Sequence, residues 1–264
     1  MQPVTQNANF TPITSRDNPQ LKELRRLTQD STAYRKQGRV WLEGDHLARA
    51  ALQRGLRPAL GVYAESFWDR DGAAWAAHAQ RNLVLPDSLF KDLSGLESPA
   101  PMAFVMELPA QSAVHATVST VVLDRVQDAG NVGSILRSAA AFGFKQVLAL
   151  KGTAALWSPK VLRAGMGAHF ALDLIEGLSI EQVVELKVPL IVTSSHQGAL
   201  IQHQPLPWPC AWAMGHEGQG VCEALMARAE LAVRIGQPGG EESLNVAAAA
   251  AICLHASALS AVKS

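Results

Sequence analysis

Three stretches carry the chemical possibilities of this chain: LDRVQDAGNVGSILR ending at Arg137, MGHEGQG from Met214 to Gly220, and SLNVAAA from Ser243. In the first, Gly130, Gly133 and Ser134 leave the start of a helix uncrowded, so a ligand could come close to its N–H groups. Asn131 sits where its amide caps that helix or bonds a ligand, and Arg137 lies on the second turn. Pattern alone favours the plainer alternative, an N-cap followed by a solvated arginine. In the second stretch, Glu217 lies among Gly215, Gly218 and Gly220, which suit either a tight turn or close approach of a ligand to backbone N–H. The GxxGxG spacing is weak as a dinucleotide fingerprint. No acid ends the following LAVRIG run to hold a ribose, which disfavours a nicotinamide cofactor. His216–Glu217 is not HExxH, so metal binding is not expected there. In the third, Ser243 and Asn245 precede an alanine-rich helix, with Ser243 as its expected N-cap. The chain has no GxxxxGK[ST], no GxSxG and no evident carboxylate pair.

Each stretch follows an apolar run that reads as a buried strand: STVVLD, CAWAMG and LAVRIG. Ligands of parallel sheets sit at the carboxyl ends of strands, so the three loops can meet at one sheet edge. QVLAL, ALDLI and PLIVTSS read as further strands. Helices are expected from Asn131 to Phe142, over SPKVLRAGMG and IEQVVELK, and from Asn245 to Val262. This alternation predicts an α/β fold, a mostly parallel sheet with helices on both faces. Upstream lies a smaller α/β pattern. A helix from Asn18 puts Leu21, Leu24 and Leu27 on one face and Lys22, Arg25 and Arg26 on the other. Strands are expected at Val40–Leu42, LGVYAE, NLVLP and MAFVMEL, and helices from Asp45 to Gly55 and over DGAAWAAHAQ and DSLFKDLSG. The first dozen residues read as loose. PAQSAVHAT has linker composition, which divides the chain into domains at 1–108 and 117–264.

With 264 residues, 48% of them hydrophobic and 17% charged, the chain can bury a large core, and disorder is excluded for its bulk. The formal net charge is zero. The first sixty residues nevertheless hold ten basic side chains against five acidic ones, which fits an anion-binding arm on a more acidic body. Cys210, Cys222 and Cys253 are odd in number and far apart, so neither a disulfide framework nor a zinc site is expected. MQPVTQNANF lacks the pattern of a signal peptide, and the alanine-rich C-terminal run reads as a packed helix, not a membrane span. A cytoplasmic protein with no metal and no membrane partner is the expectation.

NVGSILR, MGHEGQG and SLNVAAA, in that order, resemble the SpoU/TrmH family of RNA ribose 2′-O-methyltransferases, and the likeness runs from about Val121 to His255. The segment TSRDNPQLKELRRL…GRVWLEGDHLARAAL looks like the small substrate-binding domain of many members. The resemblance implies a trefoil-knotted catalytic domain preceded by an RNA-binding one. It also implies S-adenosyl-L-methionine as cofactor, RNA as partner (ribosomal favoured over transfer RNA) and a homodimer through the catalytic domain. A non-catalytic RNA-binding or assembly protein of the same fold is the alternative. By resemblance, Asn131, Arg137, Glu217, Ser243 and Asn245 form the catalytic set, and Thr193, Gly215, Ile235 and Leu244 hold the cofactor. Arg16, Lys22, Arg25, Arg26, Arg35, Lys36 and Arg39 form the RNA footprint. The chain departs from the family pattern in two places: Gly236 and Gln237 follow Ile235 where proline and methionine are usual, and Gly165 replaces a frequent serine in RAGMGAHF. A guanidinium with a pKa of roughly 12 or more rarely gives up its proton. Clamping the target phosphate or ribose therefore suits Arg137 better than acting as a base.

Overall fold

The computed structural model describes residues 9–183, 185–194, 198–239 and 243–263. Contacts group them into two units, the residues up to Pro109 together with Trp157–Phe170, and Ala110–Leu156 together with the residues from Ala171 onward.

The first unit comprises β1 (Thr11–Pro12), α1 (Pro19–Gln29), α2 (Ala33–Gln37), β2 (Arg39–Glu43), α3 (Asp45–Gln53), β3 (Leu60–Ala64), α4 (Glu65–Ala76), β4 (Arg81–Leu85), α5 (Asp87–Leu93) and β5 (Met102–Glu107). Its sheet has the order β1-β4-β3-β5-β2, with β5 antiparallel to both neighbours. Helix α1 forms where its leucine spacing predicts it. Asn18 accepts from the N–H groups of Gln20 and Leu21, Pro19 fits the first turn, and Leu21, Leu24 and Leu27 are buried. Glu43 is buried at the end of β2, where Trp41 Nε1 (2.9 Å), Ser94 Oγ (2.8 Å) and Ala100 N (3.0 Å) all donate to it. That carboxylate ties the loop before β5 to the sheet.

The second unit begins with β6 (Thr120–Asp124), α6 (Ala129–Ala141) and β7 (Gln146–Leu150). Next in the chain is α7 (Pro159–Gly165), which packs on β2 within the first unit. The second unit resumes with β8 (Asp173–Leu178), α8 (Ile180–Val183), β9 (Leu190–Thr193), β10 (Ala199–Leu200), β11 (Ala211–Gly215), α9 (Glu223–Met226), β12 (Leu231–Arg234) and α10 (Val246–Lys263). Its seven strands have the order β10-β12-β9-β11-β6-β7-β8, and every pairing is parallel. Both faces are covered, which is why the central strands read as unbroken apolar runs. Val122, Val192 and Ala213 face a core closed by Val183 and Leu225. On the other face, Trp212 Nε1 donates to Ser257 Oγ of α10 (2.9 Å), and α10 packs along α6.

The chain runs outward from β6 through β7 to β8, then returns to the other side of β6 for β9 and β11. Strand order reverses there, and the carboxyl ends of β12, β9, β11 and β6 stand side by side. Such a switch point opens a crevice above the strand ends.

Several local expectations shift. Thr11–Pro12 pairs with Leu83–Val84 rather than lying loose. Helix α4 starts at Glu65, six residues before the expected Asp71, because the chain turns into it directly from β3 and buries Phe67. The strands β1 and β10 and the helices α2 and α9 are too short to show a period. No helix among the described residues is long and apolar enough to cross a membrane.

Candidate active site

Helix α6 is capped by Asp128, whose side chain accepts from Asn131 N at 2.7 Å. The expected start at Asn131 is therefore corrected to Ala129, and the consequence is chemical. With the cap supplied by Asp128, the Asn131 side chain is released for longer-range bonding. Its Nδ2 donates to Glu217 Oε1 at 3.1 Å, while its Oδ1 accepts from Asn245 Nδ2 at 2.9 Å. Asn245 Oδ1 in turn accepts from Ala247 N (2.9 Å) and Ala248 N (3.2 Å) at the start of α10. Asn245, not the expected Ser243, caps that helix. Its position immediately before Val246 puts the amide oxygen in reach of the second and third helical N–H groups.

The chain of bonds has a direction set by Glu217. The carboxylate accepts from Gln127 N (3.2 Å) and Asp128 N (3.1 Å) as well as from Asn131. A group that only accepts compels Asn131 to present its NH2 to Glu217 and its oxygen to Asn245. Asn245 must then offer its NH2 to Asn131 and its oxygen to the helix. Partial desolvation of Glu217 favours the neutral acid, but the N–H of Asp128, the amide of Asn131 and the N–H of Gln127 outweigh it and hold the pKa at about 2. With its folded pKa below the unfolded value, Glu217 contributes stability that is complete above the ordinary carboxylate range and lost as pH falls toward about 2. Glu217 stays ionised between pH 6 and 9. An activity profile over that range is expected to show no limb that Glu217→Gln removes; an acidic limb abolished by that change would assign Glu217 a proton-transfer role.

A second carboxylate, which the motifs did not single out, secures the same corner. Asp124, buried at the end of β6, accepts from Cys222 N (2.6 Å) and Arg125 Nε (2.8 Å). Desolvation raises its pKa, and the Arg125 and Cys222 hydrogen bonds more than reverse that. Arg125 adopts a left-handed backbone (φ 59°), unusual for a side chain of its size, and reaches Gln219 Oε1 with Nη1 at 2.9 Å. The only early signal for Asp124 is an acid ending an apolar strand. Gly215 answers the choice between a tight turn and ligand approach: a Cβ there would stand 2.1 Å from the Gly220 carbonyl carbon. His216 and Gly220 exchange two backbone hydrogen bonds, and the returning chain leaves no room for a side chain at Gly215.

Above these strand ends is a cavity of about 360 Å³. Thr193, Ile235, Leu244, Glu217, Ser243 and Asn245 line it, so six of the residues singled out in the sequence share one space. His216, Gly220, Gln237 and Ala249 complete much of its wall. Asn131 joins through hydrogen bonds; Gly215 lies beneath, within the turn. Arg137 is exposed on α6, outside the cavity lining, and makes no ion pair among the described residues. No cluster of His, Cys, Asp or Glu suited to a metal ion occurs among the described residues.

In the first unit, Arg16 pairs with Asp92, Lys22 with Asp17 (3.0 Å) and Arg39 with Glu107 (3.8 Å). Arg35 lies over the Tyr34 ring at 5.4 Å. Arg25, Arg26 and Lys36 make no ion pair among the described residues. Arg26, Lys36 and Arg39 border a concavity of about 640 Å³, with Glu23 and Asp30 on its wall.

Residues 119–255 match the model of the SpoU rRNA Methylase family. The chain is 30% identical over 247 residues to the Bacillus subtilis 23S rRNA (guanosine(2553)-2′-O)-methyltransferase RlmP, covering 92% of this chain and 97% of that one. It is 34% identical over 156 residues to the human mitochondrial rRNA methyltransferase 3, covering 56% of this chain and 37% of that protein. Among solved structures, an RNA 2′-O ribose methyltransferase superposes with a TM-score of 0.81 at 29% identity, covering 96% of this chain and 100% of that one. An AdoMet-bound rRNA methyltransferase from Sinorhizobium meliloti gives 0.80 at 26% identity, with 94% and 97% covered. Motif order, parallel sheet and relatives agree, and the chain belongs to the SpoU rRNA methylase family.

Proposed function

We propose that this chain transfers a methyl group from S-adenosylmethionine to a ribose 2′-hydroxyl of RNA, with ribosomal RNA preferred over transfer RNA. The observation that carries this reading is the hydrogen-bonded run Asn245–Asn131–Glu217 beside a cavity above adjacent parallel strand ends. The name of the Bacillus relative, which acts on 23S rRNA, supports the choice of RNA, and the AdoMet-bound Sinorhizobium structure supports the cofactor. The cavity fits such a molecule chemically: Ile235, Leu244 and Ala249 offer apolar wall, Thr193, Ser243 and Asn245 offer polar groups, and one buried oxygen of Gln237 has no partner among the described residues.

When bound, the cofactor supplies a sulfonium-activated methyl group. The protein's task is then alignment and charge management. Ile235, Leu244, Thr193 and the turn at Gly215 hold the nucleoside side, while Glu217 fixes the amides of Asn131 and Asn245 toward the RNA. Ser243, at the cavity wall, adds a hydroxyl to the same site. Arg137, exposed and without an ion pair among the described residues, clamps the target phosphate or ribose. The knotted chain path and the homodimer belong to the same reading. A groove of about 860 Å³ along α10, where Ile252 and Leu259 are 41% and 49% exposed, would be covered by a second copy. Cys210, Cys222 and Cys253 are free thiols, in keeping with a cytoplasmic location.

The first unit, within the boundaries 1–108 proposed from sequence, is read as the RNA-binding domain, with Trp157–Phe170 packed beside it. Three of its cations make no ion pair among the described residues and provide the test. Changing Arg25, Arg26 and Lys36 together to Gln is expected to reduce the slope of log K against log salt for RNA binding by about 2 to 3. An unchanged slope would remove these side chains from the footprint. Mapping ribose methylation in ribosomal and transfer RNA from a deletion strain tests the choice of RNA. Loss of one 2′-O-methyl site in ribosomal RNA is expected; loss confined to transfer RNA would reverse the preference.

A further inference from the structure

Gln237 lies in the loop leaving β12, where the resemblance leads one to expect an apolar methionine. It lines the same cavity as Ile235 and Leu244, and its Oε1 is buried without a hydrogen bond among the described residues. No other residue lining that cavity leaves a buried side-chain oxygen or nitrogen in this state. A buried carbonyl oxygen of this kind calls for a donor from something that enters the cavity. The apolar surfaces of Ile235, Leu244 and Ala249 in the same lining suit a flat ring. A primary amide is also the side-chain group that matches adenine edge to edge, its oxygen accepting from the exocyclic amine and its NH2 donating to a ring nitrogen.

We propose that Gln237 reads the adenine base of the cofactor, its Oε1 accepting a hydrogen bond from the exocyclic amine. The inference rests on the reading that this cavity takes S-adenosylmethionine. It makes base recognition at this site a side-chain function, sensitive to a single substitution in a loop of glycines and proline.

The test is calorimetric titration of the full chain with S-adenosylhomocysteine and with its 6-deamino (purine riboside) analogue, in which the exocyclic amine is replaced by hydrogen and no donor is left for Oε1. The wild type is expected to bind the adenosyl ligand about 10-fold or more tightly than the deamino one, as the loss of one well-made hydrogen bond predicts. Gln237→Met, close in length but apolar, is expected to weaken the adenosyl ligand by about the same factor and to erase most of the preference. Unchanged melting temperature separates this effect from misfolding, and Gln237→Leu provides a second apolar variant if the first melts early. Retained discrimination in the apolar variants would overturn the proposal. Equal weakening of both ligands would also overturn it, because Gln237 would then contact the ribose or the amino acid. Failure of the wild type to bind S-adenosylhomocysteine at all would instead defeat the cofactor reading on which the proposal stands.

Discussion

Glu217→Gln is expected to lower the rate of methyl transfer by about 10²-fold, the scale associated with misplacing a reacting group by an ångström. The substitution keeps size and shape but replaces an acceptor-only group with an amide. The new side chain then presents NH2 either to Gln127 N or to Asp128 N and Asn131 Nδ2 together. At least one of these donors, in hydrogen bonds open to solvent, loses its partner, at a cost of about 0.5–1.5 kcal/mol. Asn131 then keeps only one of the two anchors of its orientation, the bond from Asn245, which the N–H groups of Ala247 and Ala248 hold in place. Single-turnover kinetics with saturating cofactor reads the effect on chemistry, and cofactor affinity should move by only a few-fold. Full activity in this variant would mean that the orientation of Asn131 does not matter to the reaction.

Arg137→Lys is expected to be as severe, with kcat/KM for RNA falling by roughly 10²–10³-fold, or about 3–4 kcal/mol of transition-state stabilisation. Lysine keeps the charge but not the planar fork that binds a phosphate or ribose through two parallel hydrogen bonds. Arg137 is exposed and has no ion pair among the described residues to break, so the variant should fold normally. A thermal melt alongside steady-state kinetics separates the two effects. Near-normal turnover would show that a point charge suffices and would dismiss the clamp.

Much of the fold was legible because parallel strands buried on both faces are written as unbroken apolar runs, and STVVLD, QVLAL and CAWAMG are such runs. The meeting of three loops was legible for a related reason, since each follows such a strand. What could not be read were choices made by tertiary neighbours. Asp128 and Asn131 are both good capping residues; only the approach of Glu217 decides that Asp128 caps and Asn131 links. The same holds at α10, where contact with Asn131 favours Asn245 over Ser243 as the cap. Glu217 carried the motif, but its role as an acceptor for two backbone N–H groups depends on a loop nearly ninety residues earlier in the chain. Asp124 resembles any strand-ending acid until Cys222 N is found 2.6 Å away. Grouping of Trp157–Phe170 with the first unit leaves no mark in local periodicity, because α7 shows the same amphipathic face whichever sheet it covers.

The most direct measurement is nucleoside mass spectrometry of ribosomal RNA from a deletion strain after incubation with the purified protein and methyl-labelled S-adenosylmethionine. A single labelled 2′-O-methylnucleoside, formed at least about 10²-fold more slowly with Glu217→Gln or Arg137→Lys at the same enzyme concentration, is the predicted result. Label on a base, or no label while the cofactor is demonstrably bound, would contradict it.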